Sequence, residues 1–118
     1  MELLDKIVLK IKENSYAATY PNVGQKIRIQ SLKQDFTGGQ YGRMSDSLLQ
    51  DQWDALEMVD VLAHFTVLIP DLVKDSKVSM SNLDQRDFVD LIKVYREQFL
   101  PWYKGWEEVI KKVRDEVK

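Results

Sequence analysis

The sequence predicts a single α+β domain, with a small antiparallel sheet at the N-terminus and three amphipathic helices after it. Apolar residues alternate with polar ones over about residues 6–30, the period of a strand that buries one face. Further along the chain they recur every three to four residues, the period of a helix with one apolar side. A chain of 118 residues, 44% of them hydrophobic, suffices for one core. We therefore expect one domain over 1–118, mainly β over 1–38 and helical over 39–118.

The predicted sheet is a meander of three short strands. The first two strands cover 7–12 and 15–20 and are joined by a turn at Glu13-Asn14. The third covers 25–30 and follows a turn at residues 21–24, where proline and glycine favour tight-turn geometry. The residues expected on the inward face are Ile7, Leu9, Ile11, Tyr16, Ala18, Tyr20, Ile27 and Ile29. For the first segment, a helix over 2–12 is an open alternative.

The central helix is predicted over about 46–69. Ser45 or Asp46 is its expected N-cap, and Pro70 ends it because the proline ring forces the preceding residue out of helical geometry. Before it, a short helical segment over 31–36 ends at Gly38-Gly39, and Gln40-Tyr41-Gly42 forms a loop. One side of this helix is expected to carry Leu48, Ala55, Leu56, Val59, Leu62, Ala63 and Thr66, and the other side Asp54, Glu57, Asp60 and His64. Apolar residues surround the helix after Asp60, so we expect it to be exposed at its start and buried at its end.

Two further helices are predicted after a polar loop over 71–81. Asn82 and Gln85 resemble a capping box that opens a helix over 83–99, and Pro101 suits the first turn of a last helix over 101–117. Their apolar stripes are Phe88, Leu91, Ile92, Tyr95 and Phe99, and then Trp102, Trp106, Val109, Ile110, Val113 and Val117. From the whole chain we expect in the core Ile27, Ile29, Leu56, Val59, Leu62, Phe88, Ile92, Tyr95, Trp106 and Val113.

Charge is distributed unevenly along the chain, although the net charge is only −2. Residues 1–43 carry seven basic and four acidic residues, whereas residues 44–73 carry six acidic and no basic ones. The acidic block argues against a nucleic-acid partner along the central helix. It suits a basic protein partner, contact with the N-terminal third of the chain, or simply a solvated helix face.

Several classes of site are excluded or unsupported. The absence of cysteine excludes disulfides, thiolate zinc sites and cysteine nucleophiles. There is no signal-peptide pattern, and no apolar run approaches the roughly 20 residues needed to cross a bilayer, so we expect a cytoplasmic protein without a membrane partner. Gly38, Gly39 and Gly42 do not have the spacing of a phosphate-binding loop.

His64 is the only histidine and the only candidate for acid–base catalysis. Asp60 and Glu57 precede it by one and two helical turns, so the three could form a general base with an orienting carboxylate, or part of a metal site. No metal-binding spacing or nucleophile motif accompanies them. We therefore expect a half-exposed structural histidine and no enzyme, cofactor or metal, with a small enzyme or regulator as the alternative.

Aromatic residues cluster at the start of the predicted last helix. Trp106 is expected in the core, whereas Trp102 and Tyr103, next to Pro101, are expected to be partly exposed and to anchor a protein interface. Together with the acidic residues of the central helix, this predicts partner-binding residues at Trp102, Tyr103, Asp54, Glu57 and Asp60.

Several short strings, spread over 16–106, together resemble small proteins of the structural gene clusters of tailed bacteriophages, tail-assembly chaperones among them. The strings are Tyr20-Pro21-Asn22-Val23-Gly24-Gln25 with Ile27 and Ile29, Gly39-Gln40-Tyr41-Gly42, Leu68-Ile69-Pro70-Asp71-Leu72, and Pro101-Trp102-Tyr103 with Trp106.

The resemblance implies a non-enzymatic assembly protein acting in the host bacterial cytoplasm. Tail chaperones bind the helical tape-measure protein while tube subunits polymerise round it, so the implied partners are tape-measure or tail-tube proteins, or further copies of this chain. Known tail chaperones are mostly helical, however, and a sheet with an exposed edge would also suit a minor virion subunit of the connector or tail-completion type.

Overall fold

The computed structural model describes residues 4–76 and 84–116 and confirms the α+β class. A two-stranded antiparallel sheet at the N-terminus is followed by several helices. The elements in chain order are β1 (Lys6–Ile11), β2 (Asn14–Thr19), α1 (Val23–Thr37), α2 (Tyr41–Ser45), α3 (Gln50–Leu68), α4 (Pro70–Ser76), α5 (Gln85–Val94) and α6 (Leu100–Glu116), with a π-helical turn over Tyr95–Phe99 between α5 and α6.

The hairpin confirms the first two predicted strands. Inward-facing residues alternate as expected, with Leu9, Ile11, Tyr16 and Ala18 buried. Ile11 pairs with Asn14, so the turn is Lys12-Glu13, one residue earlier than predicted, and Lys12 adopts the positive φ of 57° that this short turn needs. The alternative helix over 2–12 is wrong where the chain is described, because β1 begins at Lys6.

The predicted third strand over 25–30 is wrong, because these residues belong to α1. Asn22 caps this helix with a complete capping box, in which its side chain accepts from the Gln25 amide and the Gln25 side chain accepts from the Asn22 amide. Residues two apart on a helix point about 200° apart. Ile29 is therefore fully buried, while Ile27, also expected inward, is 62% exposed. Gly38, in the left-handed conformation, ends the helix as predicted.

The central helix α3 begins four residues later than predicted. Its N-cap is Leu49, which makes no side-chain capping bond, so the predicted cap at Ser45 or Asp46 is wrong. Leu48, expected on the apolar face of this helix, consequently lies outside the helix and is exposed. The predicted loop at residues 40–42 is also wrong where it overlaps α2, which begins at Tyr41.

The end of α3 at Leu68, just before Pro70, is as predicted. The loop expected over 71–81 is wrong as far as Ser76, because α4 occupies those residues. Residues 77–81 and Asn82, with its predicted capping box, lie outside the described residues. The observed cap of α5 is Asp84, whose side chain accepts from the Arg86 amide.

Residues 85–116 form one continuous helix instead of the two separate helices predicted over 83–99 and 101–117. Pro101 has no N–H to donate, and its ring would crowd the carbonyl one turn earlier in a regular α-helix. The π-helical turn lies directly before this proline, and there the Leu100 amide bonds to the Tyr95 carbonyl, five residues back. The wider turn allows the helix to pass the proline without breaking.

The core joins the inner face of the hairpin to α3 and the long C-terminal helix. Its largest fully buried side chains include Phe65, Phe99 and Tyr103, which pack with Tyr95 and Trp102 as a cluster of aromatic rings. Among the residues expected in the core, Ile29, Leu56, Val59, Phe88 and Tyr95 are buried, Leu62, Ile92 and Trp106 are partly buried, and Ile27 and Val113 are exposed.

Candidate interaction site

A cleft of about 420 Å³ lies where α2 and the first half of α3 face the π-helical turn and the start of α6. We call it the α3 cleft. It is lined by Tyr41, Ser45, Gln50, Trp53, Asp54, Leu56, Glu57, Asp60, Tyr95, Arg96, Leu100 and Lys104. Three of the five residues predicted to bind a partner, Asp54, Glu57 and Asp60, are thus brought together in one place.

Asp60 is held at the base of the α3 cleft by two residues from other helices. The Tyr41 hydroxyl donates to its Oδ1 at 2.7 Å, and the Lys33 ammonium lies 3.5 Å from the same oxygen. Lys33 is buried and also lies 5.2 Å from the centre of the Tyr41 ring. Burial raises the pKa of Tyr41, and the bonded Asp60 carboxylate raises it further. Asp60 therefore makes the contact with the N-terminal third that its charge suggested.

Glu57 is paired across the cleft with Arg96 of the π-helical turn. Arg96 donates from Nε to one carboxylate oxygen at 2.6 Å and from Nη2 to the other, which is the two-pronged geometry that suits arginine. The pair connects α3 to the C-terminal helix and neutralises both charges. Because its carboxylate is already paired with Arg96, Glu57 lines the cleft but is not free to pair with a basic residue of a partner.

Large apolar side chains stand exposed beside the cleft, and the sequence prediction did not include them. Trp53 lines the cleft and is 53% exposed, and Leu48 and Leu49 are exposed in the segment between the lining residues Ser45 and Gln50. We call Leu48, Leu49 and Trp53 the apolar patch. The Trp53 indole N–H donates to the Ser47 carbonyl, which fixes the ring against this segment. The sequence prediction began the helix too early and so counted Leu48 on its apolar face. A helix beginning at Gln50 leaves Leu48 and Leu49 outside it, next to Trp53.

Three acidic residues lie close in sequence to the residues of the apolar patch. Asp46, Asp51 and Asp54 are exposed, and none of them forms an ion pair within residues 4–76 and 84–116. Asp54 accepts one hydrogen bond, from the Gln50 side chain at 2.9 Å. Apolar groups between free carboxylates favour a partner that carries apolar residues and lysine or arginine together.

Trp102 and Tyr103, predicted to be partly exposed, are buried, so the exposure expected of them is wrong. The Trp102 indole donates to the Leu4 carbonyl at 2.6 Å, and Tyr103 stacks on Phe99 and accepts a hydrogen bond from Lys26 at 2.9 Å. Tyr20, which follows the hairpin, packs against both rings. Neither ring lines the α3 cleft.

His64 is buried instead of half-exposed, and it does not contact the Asp60 carboxylate. Its Nδ1–H donates to the Asp60 backbone carbonyl at 2.7 Å, and aromatic rings surround the imidazole. Burial lowers the pKa of His64 to about 3, and the positive charges of Lys33 and Lys26 act in the same direction, against the hydrogen bond to the Asp60 carbonyl. The imidazole is therefore neutral near pH 7 and packs as part of the core.

Comparison with known protein families, curated proteins and solved structures finds no match. The residues described here contain no group of three or more histidine, aspartate or glutamate side chains placed to hold a metal ion. Over the same residues, no helix combines the length and apolar character that crossing a membrane requires.

Proposed function

We propose that this protein is a non-enzymatic assembly protein of a tailed bacteriophage, which binds another phage protein through the apolar patch and the α3 cleft. The observation that carries the proposal is the exposure of Trp53, Leu48 and Leu49 among carboxylates that have no ion-pair partner in the described residues. Tryptophan is among the side chains that contribute most to protein interfaces. The phage setting rests on the resemblance of the short strings to tail-assembly chaperones.

The chemistry of the patch favours an amphipathic, basic helical segment as its partner. Such a helix would place apolar residues on Trp53 and the two leucines, and lysine or arginine against Asp46, Asp51 and Asp54. Long helical proteins such as a tape-measure protein offer segments of this kind. A chaperone role would occupy the patch during tail assembly in the host cytoplasm and release it afterwards.

Binding of defined peptides tests the partner chemistry. We expect a helical peptide with leucine on one face and lysine on the other to bind, and the same peptide with glutamate in place of lysine not to bind. Trp53→Ala should weaken binding by about tenfold or more, since a hot-spot side chain contributes about 2 kcal/mol. Val89→Ala, which truncates an exposed apolar side chain of α5 outside the patch, is the control and should leave affinity unchanged. Equal loss in both variants would remove the patch from the proposal.

Gradient fractionation of a lysate from the native source, followed by mass spectrometry, tests the biological setting. A tail chaperone runs in the light fractions and co-purifies with a long helical phage protein, in amounts that Trp53→Ala reduces. Migration with finished particles at fixed copy number would instead support the alternative, a minor virion subunit. Absence of phage proteins from every fraction that contains this chain would refute the phage assignment while leaving the peptide result standing.

A further inference from the structure

The second half of α6 carries an apolar stripe that no described residue of the chain covers. Every residue from Glu107 to Glu116 is exposed, including Val109, Ile110 and Val113, which the sequence pattern assigns to a single helix face. Trp106, on the same face one turn earlier, still packs against the core. The face that buries α6 at its start thus continues for about 15 Å of helix without cover from any other residue that the structure describes.

Two opposite charges flank one edge of this stripe. At about 100° per residue, Glu107 and Arg114 fall on the same side of Ile110, two helical turns apart. The structure agrees, because Glu107, Ile110 and Arg114 line one groove of about 460 Å³ between α6 and α1. The negative charge lies nearer the N-terminal end of the helix and the positive charge nearer the C-terminal end.

We propose that this half of α6 pairs antiparallel with the same segment of a second copy. Reversing the helix exchanges the two charged positions, so Glu107 of each copy faces Arg114 of the other. The same arrangement places Val109 against Val113 of the second copy, in both directions, and Ile110 against Ile110. A two-fold axis close to Ile110 generates the Glu107–Arg114 and Val109–Val113 contacts twice each and the contact between the two Ile110 side chains once, as in an isologous interface. The pairing is thus self-complementary in both shape and charge.

The existing contacts of these charges leave them free to pair. Among the described residues, Glu107 forms an ion pair with Lys26 alone, at the outer limit of 4.0 Å, and the Glu107 side chain is 47% exposed. Lys26 is already bonded to the Tyr103 hydroxyl at 2.9 Å. Arg114 forms no ion pair within the described part of the chain.

Sedimentation equilibrium of the whole chain, over a series of concentrations, tests the pairing. We expect the wild type to change from 13.8 kDa to twice that mass as concentration rises. Glu107→Arg and Arg114→Glu should each raise the dissociation constant by about tenfold or more, because each variant sets like charges against each other twice. Val113→Asp should abolish the dimer, because it places a charge within the stripe.

Mixing the two charge variants gives the decisive measurement. In the mixed dimer, the arginines of Glu107→Arg face the glutamates of Arg114→Glu, so an equimolar mixture should dimerise at a concentration at which each variant alone is mainly monomeric. The double variant should dimerise as well. Glu97→Arg is the matched control, because it makes the same charge change at an exposed position of the same continuous helix that does not line this groove, and it should leave the dissociation constant unchanged.

A wild type that stays monomeric throughout, or a mixture that fails to restore the dimer, would overturn the proposal and assign the stripe to a partner of another kind. All these positions are exposed, so the substitutions should leave the fold intact. Circular dichroism of each variant verifies this. The pairing does not involve the α3 cleft, and the outcome of this experiment is independent of the peptide-binding test.

Discussion

The imidazole of His64 meets the ring of Tyr103 edge-on, with the ring centroids 4.8 Å apart. This contact places an ionisable side chain from α3 inside the aromatic cluster of the C-terminal helix. A charged imidazolium would lose its hydration there without gaining a counter-ion. The histidine therefore links the stability of the fold to pH.

Acid should destabilise the protein through His64. The pKa of this imidazole is lowered from 6.5 to about 3 in the folded chain, so between these values the unfolded state binds the additional proton. The stabilising contribution is complete above pH 6.5 and is lost as pH falls from 6.5 towards 3. Urea melts at pH 7.5 and pH 5 should show a loss about 2 kcal/mol larger in the wild type than in His64→Phe. An identical pH dependence in both proteins would contradict the burial of the imidazole.

Loss of the Asp60 carboxylate should destabilise the fold because it removes the counter-ion of Lys33, and not because it changes the net charge. In Asp60→Asn the buried ammonium of Lys33 keeps its charge but loses its counter-ion, while the Tyr41 hydroxyl still has an oxygen to bond. Because Asp60 is partly open to solvent, we expect a loss of about 2 kcal/mol in the free energy of unfolding. Asp54→Asn makes the same change at an exposed site and should stay within about 0.5 kcal/mol of wild type. Chemical denaturation of the two variants side by side provides the measurement.

The two isoleucines of α1 offer a matched pair of substitutions. Ile29→Ala removes a fully buried side chain and should cost about 2–5 kcal/mol in a thermal or urea melt. Ile27→Ala removes the same atoms from an exposed position and should change stability by about 0.5 kcal/mol or less. A strand at 25–30, with both side chains inward, would make the two losses similar.

The capping box of α1 should be measurable in the same way. Asn22→Ala removes the acceptor for the Gln25 amide and should cost about 1 kcal/mol. Asn22→Ser retains an acceptor oxygen and should recover most of that loss. If the alanine variant melts like wild type, residues 21–24 form a simple turn and the start of α1 has been placed wrongly.

The sequence predicts correctly those elements whose structure depends on residues close to one another in the chain. The hairpin follows from alternation over 7–11 and 16–20, and the grouping of Asp54, Glu57 and Asp60 follows from the helical period alone. Alternation at Ile27 and Ile29 led to the wrong prediction of a strand, because six residues are too few to distinguish a strand from a helix. The capping box of Asn22 and Gln25 was the pattern that indicated a helix.

Long-range contacts have no local signature. Burial of Trp102 depends on the Leu4 carbonyl at the other end of the chain, so the residues around Trp102 could not reveal it. The exposure of Leu48 and Trp53 was missed because it depends on where α3 begins, and no capping side chain marks that point. The candidate site therefore had to be found in three dimensions.

The π-helical turn over Tyr95–Phe99 determines how the α3 cleft and the exposed apolar stripe of α6 are rotated relative to each other about the helix axis. Tyr95 and Arg96, within this turn, line the α3 cleft, and the apolar stripe of α6 follows the turn along the helix. A π-helical turn holds one residue more than an α-helical turn, so all that follows it is rotated by about 100° relative to an unbroken α-helix. The one additional residue in this turn therefore determines the direction from which a second copy would approach, whatever the composition of the two surfaces. Insertion or loss of one residue here would turn one surface relative to the other while leaving the side chains of both unchanged.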